Sequence, residues 1–386
     1  MKKQIWLLVL TLLAACAPET IFVEVTREVP VSAATVLNAP ETVEVTRQVS
    51  VDVTRVVTDE LMVEVTRSPL GSPARPIQIL FPPLASTAVI ADKGQQLADV
   101  LSRATGSQFV VGVADSETAV IQLLCAAPGD TIGVLPAAGV VQAAERCEAV
   151  PGVTAVHADG YPWQTGMLVV DADSGLNTLA DLAGKRWGIA DENSLPDTIA
   201  FRAMLAQAGV APGEIVAFPG ESDAILALFN GDVDFVTAAF VAPILPYDER
   251  PWVYGEDDPE LWRELGYSPS RSPIGYVIVW GETRFGGYQL RDARARIFDI
   301  EPRIYDETRI LTLSPPIPNE TFVYGADFPL ALSLRTTAVL LGYAADADAC
   351  AQTLCASDFT GWTGLTAADE SLFEAVWSAL QMNNEQ

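Results

Sequence analysis

From Ile77 onward the chain alternates short apolar runs with amphipathic stretches of helical period, the pattern of an α/β body. Residues 77–81 read as a strand stopped by Pro82 and Pro83, and a helix follows over about 90–105, ending at Gly106. Residues 108–113 and 131–135 read as strands, with a helix over 116–125 between them that Ser116 can cap. A second set begins with a strand at 166–170. Further strands are expected at 186–190, 214–218 and 233–237, separated by helices over about 196–209 and 222–230, and the last helices fall near 328–343 and 367–381. Two such units, with the chain returning to the first, predict a bilobed protein with a cleft outside the carboxyl ends of its strands. The expected boundaries are 76–165 for the first part of lobe 1 and 166–242 for lobe 2. Residues 243–386 are expected to form a connection or insertion, rich in proline and tryptophan to about residue 290, that returns to lobe 1.

The first 75 residues follow another pattern. Lys2 and Lys3 precede an apolar run from Ile5 to Leu13, the order of an export signal and too short for a span that stays in place. Leu13-Ala14-Ala15-Cys16 resembles the lipobox of bacterial lipoproteins, which implies removal of residues 1–15, acylation of Cys16 and anchoring on the extracytoplasmic face of the cell membrane. Within 16–75, the unit Val-Glu/Asp-Val-Thr-Arg occurs four times, starting at Val23, Val43, Val51 and Val63. Each copy has strand-like alternation but too little apolar surface to fold alone. Prolines punctuate the region, so it reads as an extended tether; paired strands or a site for cell-wall polymer is the alternative.

Charge removes several function classes. With 50 acidic against 23 basic residues and a net charge of -27, counterion release from nucleic acid cannot drive binding, nor can attraction to anionic lipid. A single histidine, His157, excludes His-rich metal sites and triads needing more than one, so no metal or cofactor is expected. No G-x-S-x-G or phosphate-cradling loop is present, and an enzyme is not expected. Beyond Cys16 there are four cysteines. Of three possible pairings, the sequence-local one, Cys125 with Cys147 and Cys350 with Cys355, is favoured in an oxidising compartment.

Several phrases together resemble one family. They are the stretch from Ile77 to Gly106, Cys125-Ala126-Ala127-Pro128-Gly129-Asp130-Thr131-Ile132-Gly133, Asp173-Ser174-Gly175-Leu176 through Asp181-Leu182-Ala183-Gly184-Lys185-Arg186, and Asn230-Gly231-Asp232-Val233-Asp234. Arg291-Asp292-Ala293-Arg294-Ala295 and Ile317-Pro318-Asn319-Glu320-Thr321 complete the set. Over about 77–386 the chain is similar to the phosphate, phosphite and phosphonate substrate-binding proteins of ABC importers. That resemblance implies the bilobed type II periplasmic-binding fold, capture of a phosphorus oxyanion by closing lobes, delivery to an ABC permease, and a monomer.

Helix starts can hold an anion with unpaired N–H groups. Ser86, Asn193 with Ser194, and Ser222 stand at such starts and are candidate ligand residues, although each is also an ordinary capping residue. Tyr161, Trp163 and Gln164, just before the first crossover between lobes, could cover a ligand; Thr237 ends a strand of lobe 2. Relatives carry a run of Ser and Thr where this chain reads Asn193-Ser194-Leu195-Pro196. They often carry a histidine where this chain has Gly220-Glu221-Ser222. A cleft-facing Glu221 would repel a dianion and attract an ammonium group, so a sensor or scaffold ectodomain for an amine-bearing solute is the alternative function.

Overall fold

The computed structural model describes residues 68–248, 250–281 and 286–384. The signal, Cys16 and the repeats of the tether lie outside the described residues. The chain first forms β1 (Ile77–Phe81), α1 (Thr87–Thr105), β2 (Phe109–Val113), α2 (Glu117–Ala126), β3 (Thr131–Leu135), α3 (Ala137–Cys147) and β4 (Val150–Val156). It then crosses to β5 (Trp163–Asp171), β6 (Trp187–Ile189), α4 (Ala200–Gln207), β7 (Ile215–Ala217), α5 (Glu221–Phe229) and β8 (Phe235–Phe240). A small antiparallel sheet of β9 (Ser270–Arg271), β10 (Val277–Trp280) and β11 (Gly287–Leu290) precedes α6 (Ile304–Glu307) and β12 (Thr308–Leu313). The return comprises β13 (Ile317–Pro318), β14 (Thr321–Tyr324), α7 (Leu330–Ala344), α8 (Ala347–Cys350), β15 (Gly364–Ala367) and α9 (Glu370–Asn384).

Two sheets organise these elements, in the orders β15-β4-β14-β3-β1-β2 and β12-β5-β8-β6-β7, with β13 also on β5. In the first, Ile77, Ile79 and Phe81 are fully buried. They meet Ile90, Leu97 and Leu101 from one face of α1, each worth roughly 1.5–3 kcal/mol when fully buried. Ser86 caps that helix. Gly106 ends it at φ 76°, a left-handed conformation that spares glycine the Cβ penalty.

Among the described residues two passages join the sheets: Val156 to Trp163, and Leu313 through β13 to Thr321. The register orients both sheets toward them. On lobe 1, Thr321 pairs with Leu135 at the end of β3, and β1 and β2 run parallel to β3. On lobe 2, Thr165 near the start of β5 pairs with Phe240 at the end of β8, and β6 and β7 run parallel to β8. The carboxyl ends of the parallel strands in both lobes therefore point to the crossovers, the bilobed architecture expected. The lobes also touch through the last helix: α9 lies against α3 and α4, and Leu195 packs into the cluster that Phe373 and Val376 help build.

Residues 243–386 are expected to be a connection or insertion returning to lobe 1, but the described residues of 243–313 stay with the second sheet. Trp252, Trp262, Val277, Val279, Leu290 and Ile297 share a core with Met167, Val169 and Val236, and β12 pairs with β5. The unforeseen elements α3, β4, β14, α8 and β15 complete lobe 1.

Cys125 bonds Cys147, and Cys350 bonds Cys355. The second pair closes a loop across 5 positions at the end of α8, where Cys350 is fully buried. Replacing both residues by alanine should cost about 2 kcal/mol, the chain-entropy value for so short a loop. Urea unfolding of the variant and of the oxidised parent measures it.

Candidate ligand-binding site

The ends of lobe 1 that face the crossovers carry acids around the single histidine. Glu320, immediately before β14, accepts from His157 Nε2 at 2.8 Å, immediately after β4. This bond raises the His157 pKa above its ordinary value against the opposing effect of burial. Burial alone would lift Glu320, but the His157 hydrogen bond and charge hold it below the usual carboxylate range. Glu117, the first residue of α2, is pushed up by burial and by the charge of Glu320. Asn319 is 2% exposed and donates to the Ala155 and Tyr161 carbonyls at 3.1 and 2.9 Å, tying β4 to the crossover. Ser86 is exposed on the same lobe, where its Oγ accepts from the Val89 N–H at 3.4 Å, a capping contact.

At the first crossover the rings of Tyr161 and Trp163 lie 4.6 Å apart, and Trp163 meets Trp252 and Tyr254 edge-on. The Tyr161 hydroxyl donates to the Trp252 carbonyl at 2.9 Å. These aromatics brace the crossover against the 243–254 segment. Gln164 is exposed on β5.

On lobe 2, Asn193 is exposed, and its backbone N–H donates to Asp191 at 2.9 Å. Ser194 caps the helical turn that leads into α4, and its hydroxyl donates to Asp197 at 2.8 Å. The other oxygen of Asp197 is buried without a hydrogen-bond partner. It faces Gly166 of β5, where a Cβ would stand 3.0 Å from Asp197 Oδ1 and 2.5 Å from the Pro196 carbonyl, so this approach requires glycine. Burial, opposed by the Ser194 hydrogen bond and aided by the charges of Glu221 and Asp191, pushes the Asp197 carboxyl up to about 6.

Glu221 opens α5 after Gly220, a cap residue that offers no side chain. Its carboxylate accepts from the Ala239 N–H of β8 at 2.7 Å and from Arg296 at 2.6 Å. A helix start, an unpaired strand N–H and a guanidinium make an anion seat, and the protein's own carboxylate fills it. Ser222 is half-buried beside it. Thr237 is 1% exposed, and its hydroxyl accepts from the Trp187 indole at 3.0 Å, so its side chain lies in the lobe 2 core rather than with the other candidates.

The structure thus joins Ser194 to Asp197, whose carboxyl feels the charge of Glu221, and Tyr161 to Trp163. It adds His157, Glu320, Asp197 and Arg296, which sequence reasoning did not select. Glu320 and His157 stand out in the sequence, the first in a family-like phrase and the second as the single histidine, but they pair across 163 positions, as Glu221 and Arg296 do across 75.

The model of the ABC transporter phosphonate periplasmic substrate-binding protein family matches residues 79–373. The chain belongs to this family. Among solved structures it is similar to XAC2383 from Xanthomonas citri bound to chloride ion, at 14% identity over 80% of this chain and 99% of that one, with a TM-score of 0.47. PhnD1 from Prochlorococcus marinus, in complex with methylphosphonate, shows 14% identity over 80% and 98%, with a TM-score of 0.40. A binding-protein component of an ABC phosphonate transporter from Pseudomonas aeruginosa shows 15% identity over 80% and 88%, with a TM-score of 0.38. No curated protein matches the chain. The chain has the type II binding-protein fold and is the substrate-binding component of an ABC importer. Among the described residues no helix is long and apolar enough to cross a membrane, and no group of three or more His, Cys, Asp or Glu could hold a metal ion.

Proposed function

We propose that this family member captures a small oxyanion-bearing solute, of the phosphonate type, between its closing lobes while acylated Cys16 holds it at the membrane, and that it delivers the solute to its permease. The observation that carries the reading is the orientation of both sheets: the open ends of the parallel strands meet at two crossovers. Ligand contacts from both ends would exist only in the closed form, so binding shifts the population toward closure. The role requires no chemical step.

A specific observation supports a second reading of the solute. In lobe 2 the Asp197 carboxylate keeps one oxygen without a hydrogen-bond partner and feels the charge of Glu221, so a bare dianion there is repelled and an ammonium group is welcome. The two readings combine in a zwitterion that carries an oxyanion and an amine.

Calorimetric and thermal-shift titration of the purified chain with methylphosphonate, an aminoalkyl phosphonate, inorganic phosphate and simple alkylamines tests both. At a hundred times the dissociation constant a true ligand adds about 2.7 kcal/mol of stability. Stabilisation by the aminoalkyl phosphonate beyond that by methylphosphonate is the expected order. Response to amines alone would discard the oxyanion, and no response to any of them would discard both.

A further inference from the structure

A cavity of about 470 Å³ lies beside the first crossover, with Asp159, Tyr161, Pro243, Arg250, Trp252 and Arg291 among its lining residues. Its size suits a small ligand, and its lining combines aromatic residues with two arginines. These two cations are not equivalent. Arg250 is neutralised by Asp257, which it meets through two hydrogen bonds of 2.6 and 2.7 Å. Arg291 directs Nε and Nη2 to a single carbonyl, that of Ala242, at 2.9 and 2.8 Å, and no carboxylate among the described residues forms an ion pair with it.

In a chain with 50 acids and 23 bases, a half-buried arginine facing a cavity without an acid partner is out of keeping with its surroundings. A cation in such a place gains most from an anion that arrives from solution, because charge-assisted bonds strengthen as water is excluded. Its geometry is ready. The bonds to Ala242 hold the guanidinium plane and leave Nη1 without a hydrogen-bond partner among the described residues, so little side-chain freedom is lost on binding. The alternative seat on lobe 2, at the start of α5, is filled by Glu221 with its own bonds to Ala239 and Arg296.

We infer that Arg291 holds the oxyanion of the transported solute in this cavity beside the crossover, in place of the helix-start seat that Glu221 occupies. Asp159 shapes the choice further. Its carboxylate accepts from the Tyr161 N–H at 3.1 Å and lines the same cavity, so a single anionic charge with a neutral or cationic neighbour fits better than a compact dianion. The inference rests on the capture reading above, and its test separates the two.

Isothermal titration of the purified chain with methylphosphonate, inorganic phosphate and acetate is compared with Arg291→Gln and Arg291→Lys. The expected result is binding of at least one oxyanion by the parent, roughly 30-fold or more weaker in Arg291→Gln and roughly 5-fold or more weaker in Arg291→Lys, which keeps the charge but loses the fork. The melting temperature without ligand reports separately on the bonds to Ala242. If Arg291→Gln does not fold, Arg291→Lys carries the test. Oxyanion binding by the parent that either folded variant leaves unchanged overturns the inference while the capture reading stands. The inference also falls if Glu221→Gln strengthens oxyanion binding and Arg291→Lys does not weaken it, since the anion then uses the helix start. A parent that binds none of the three overturns both.

Discussion

Replacing Arg294 by methionine is expected to lower stability by about 3–5 kcal/mol, the cost of stripping one partner from a buried ion network. Arg294 is 0% exposed. Its Nε and Nη2 donate to the two oxygens of Asp292 at 3.1 and 2.9 Å, its Nη1 to Glu260 at 2.7 Å, and its guanidinium carbon stands 4.5 Å from the Tyr305 ring centre. Without it, the Asp292 carboxylate keeps uncharged donors, the Tyr305 hydroxyl and the backbone N–H of position 294, whereas Glu260 still has Arg263. Arg294→Lys should lose roughly half as much, because one ammonium cannot serve both carboxylates with the same geometry. Urea unfolding at pH 7 measures both. A loss under about 1 kcal/mol for methionine would mean that water reaches the site and that the network is not dry.

The network also explains how one short stretch serves three places. Arg291, Arg294 and Arg296 flank or occupy a single helical turn. The middle one anchors that turn in the lobe 2 core, the first lines the cavity beside the crossover, and the last pairs with Glu221. Arg294 is therefore a positioning residue. Variants that loosen it should disturb the other two arginines even though it touches no ligand.

What was legible in the chain followed the range of the interactions involved. Periodicity marked α1, α2, α5 and the strands β1 to β3 to within a few residues, because burial of one face repeats locally and the caps Ser86 and Gly106 each directly flank the helix they end. The disulfide pairing was legible for the same reason. The helix α3 was missed because it opens on the small residues Ala137, Ala138 and Gly139, which carry little apolar period, and its apolar stripe shows only when packed with α9. The extent of lobe 2 to residue 313 was also hidden. The strands β9 to β11 are two to four residues long, too short for a period, and their anchors Trp252, Trp262 and Val279 declare themselves only against β5 and β8. The site was least legible. Glu221 finds Arg296 across 75 positions and His157 finds Glu320 across 163, and nothing local in either sequence neighbourhood announces the partner. Residue type alone suggested that Glu221 meets the ligand, whereas its carboxylate already has two protein partners.

Asp197→Asn is expected to stabilise the protein by roughly 2–3 kcal/mol at pH 7.5 and by little at pH 4. Raising this carboxyl from its ordinary 3.8 to about 6 disfavours the ionised folded form by that amount. The sign follows from proton counting. Between about pH 3.8 and 6 the folded protein holds a proton that the unfolded chain has released, so stability falls as pH rises through the window and the penalty is complete above it. Asparagine removes the charge, can still accept from Ser194, and can still fit over Gly166. Urea unfolding of both proteins at the two pH values decides. An equal gain at both would assign the effect to packing, and no gain at neutral pH would mean that Arg296 compensates the charge fully.

The expected gain bears on function. A residue that weakens its own fold at neutral pH is retained more readily when binding uses the charge. An ammonium group beside Asp197 and Glu221 would supply what burial withholds and bring the Asp197 pKa back down, so such a ligand should stabilise the parent more than Asp197→Asn. The same variant would then be the more stable protein and the weaker binder.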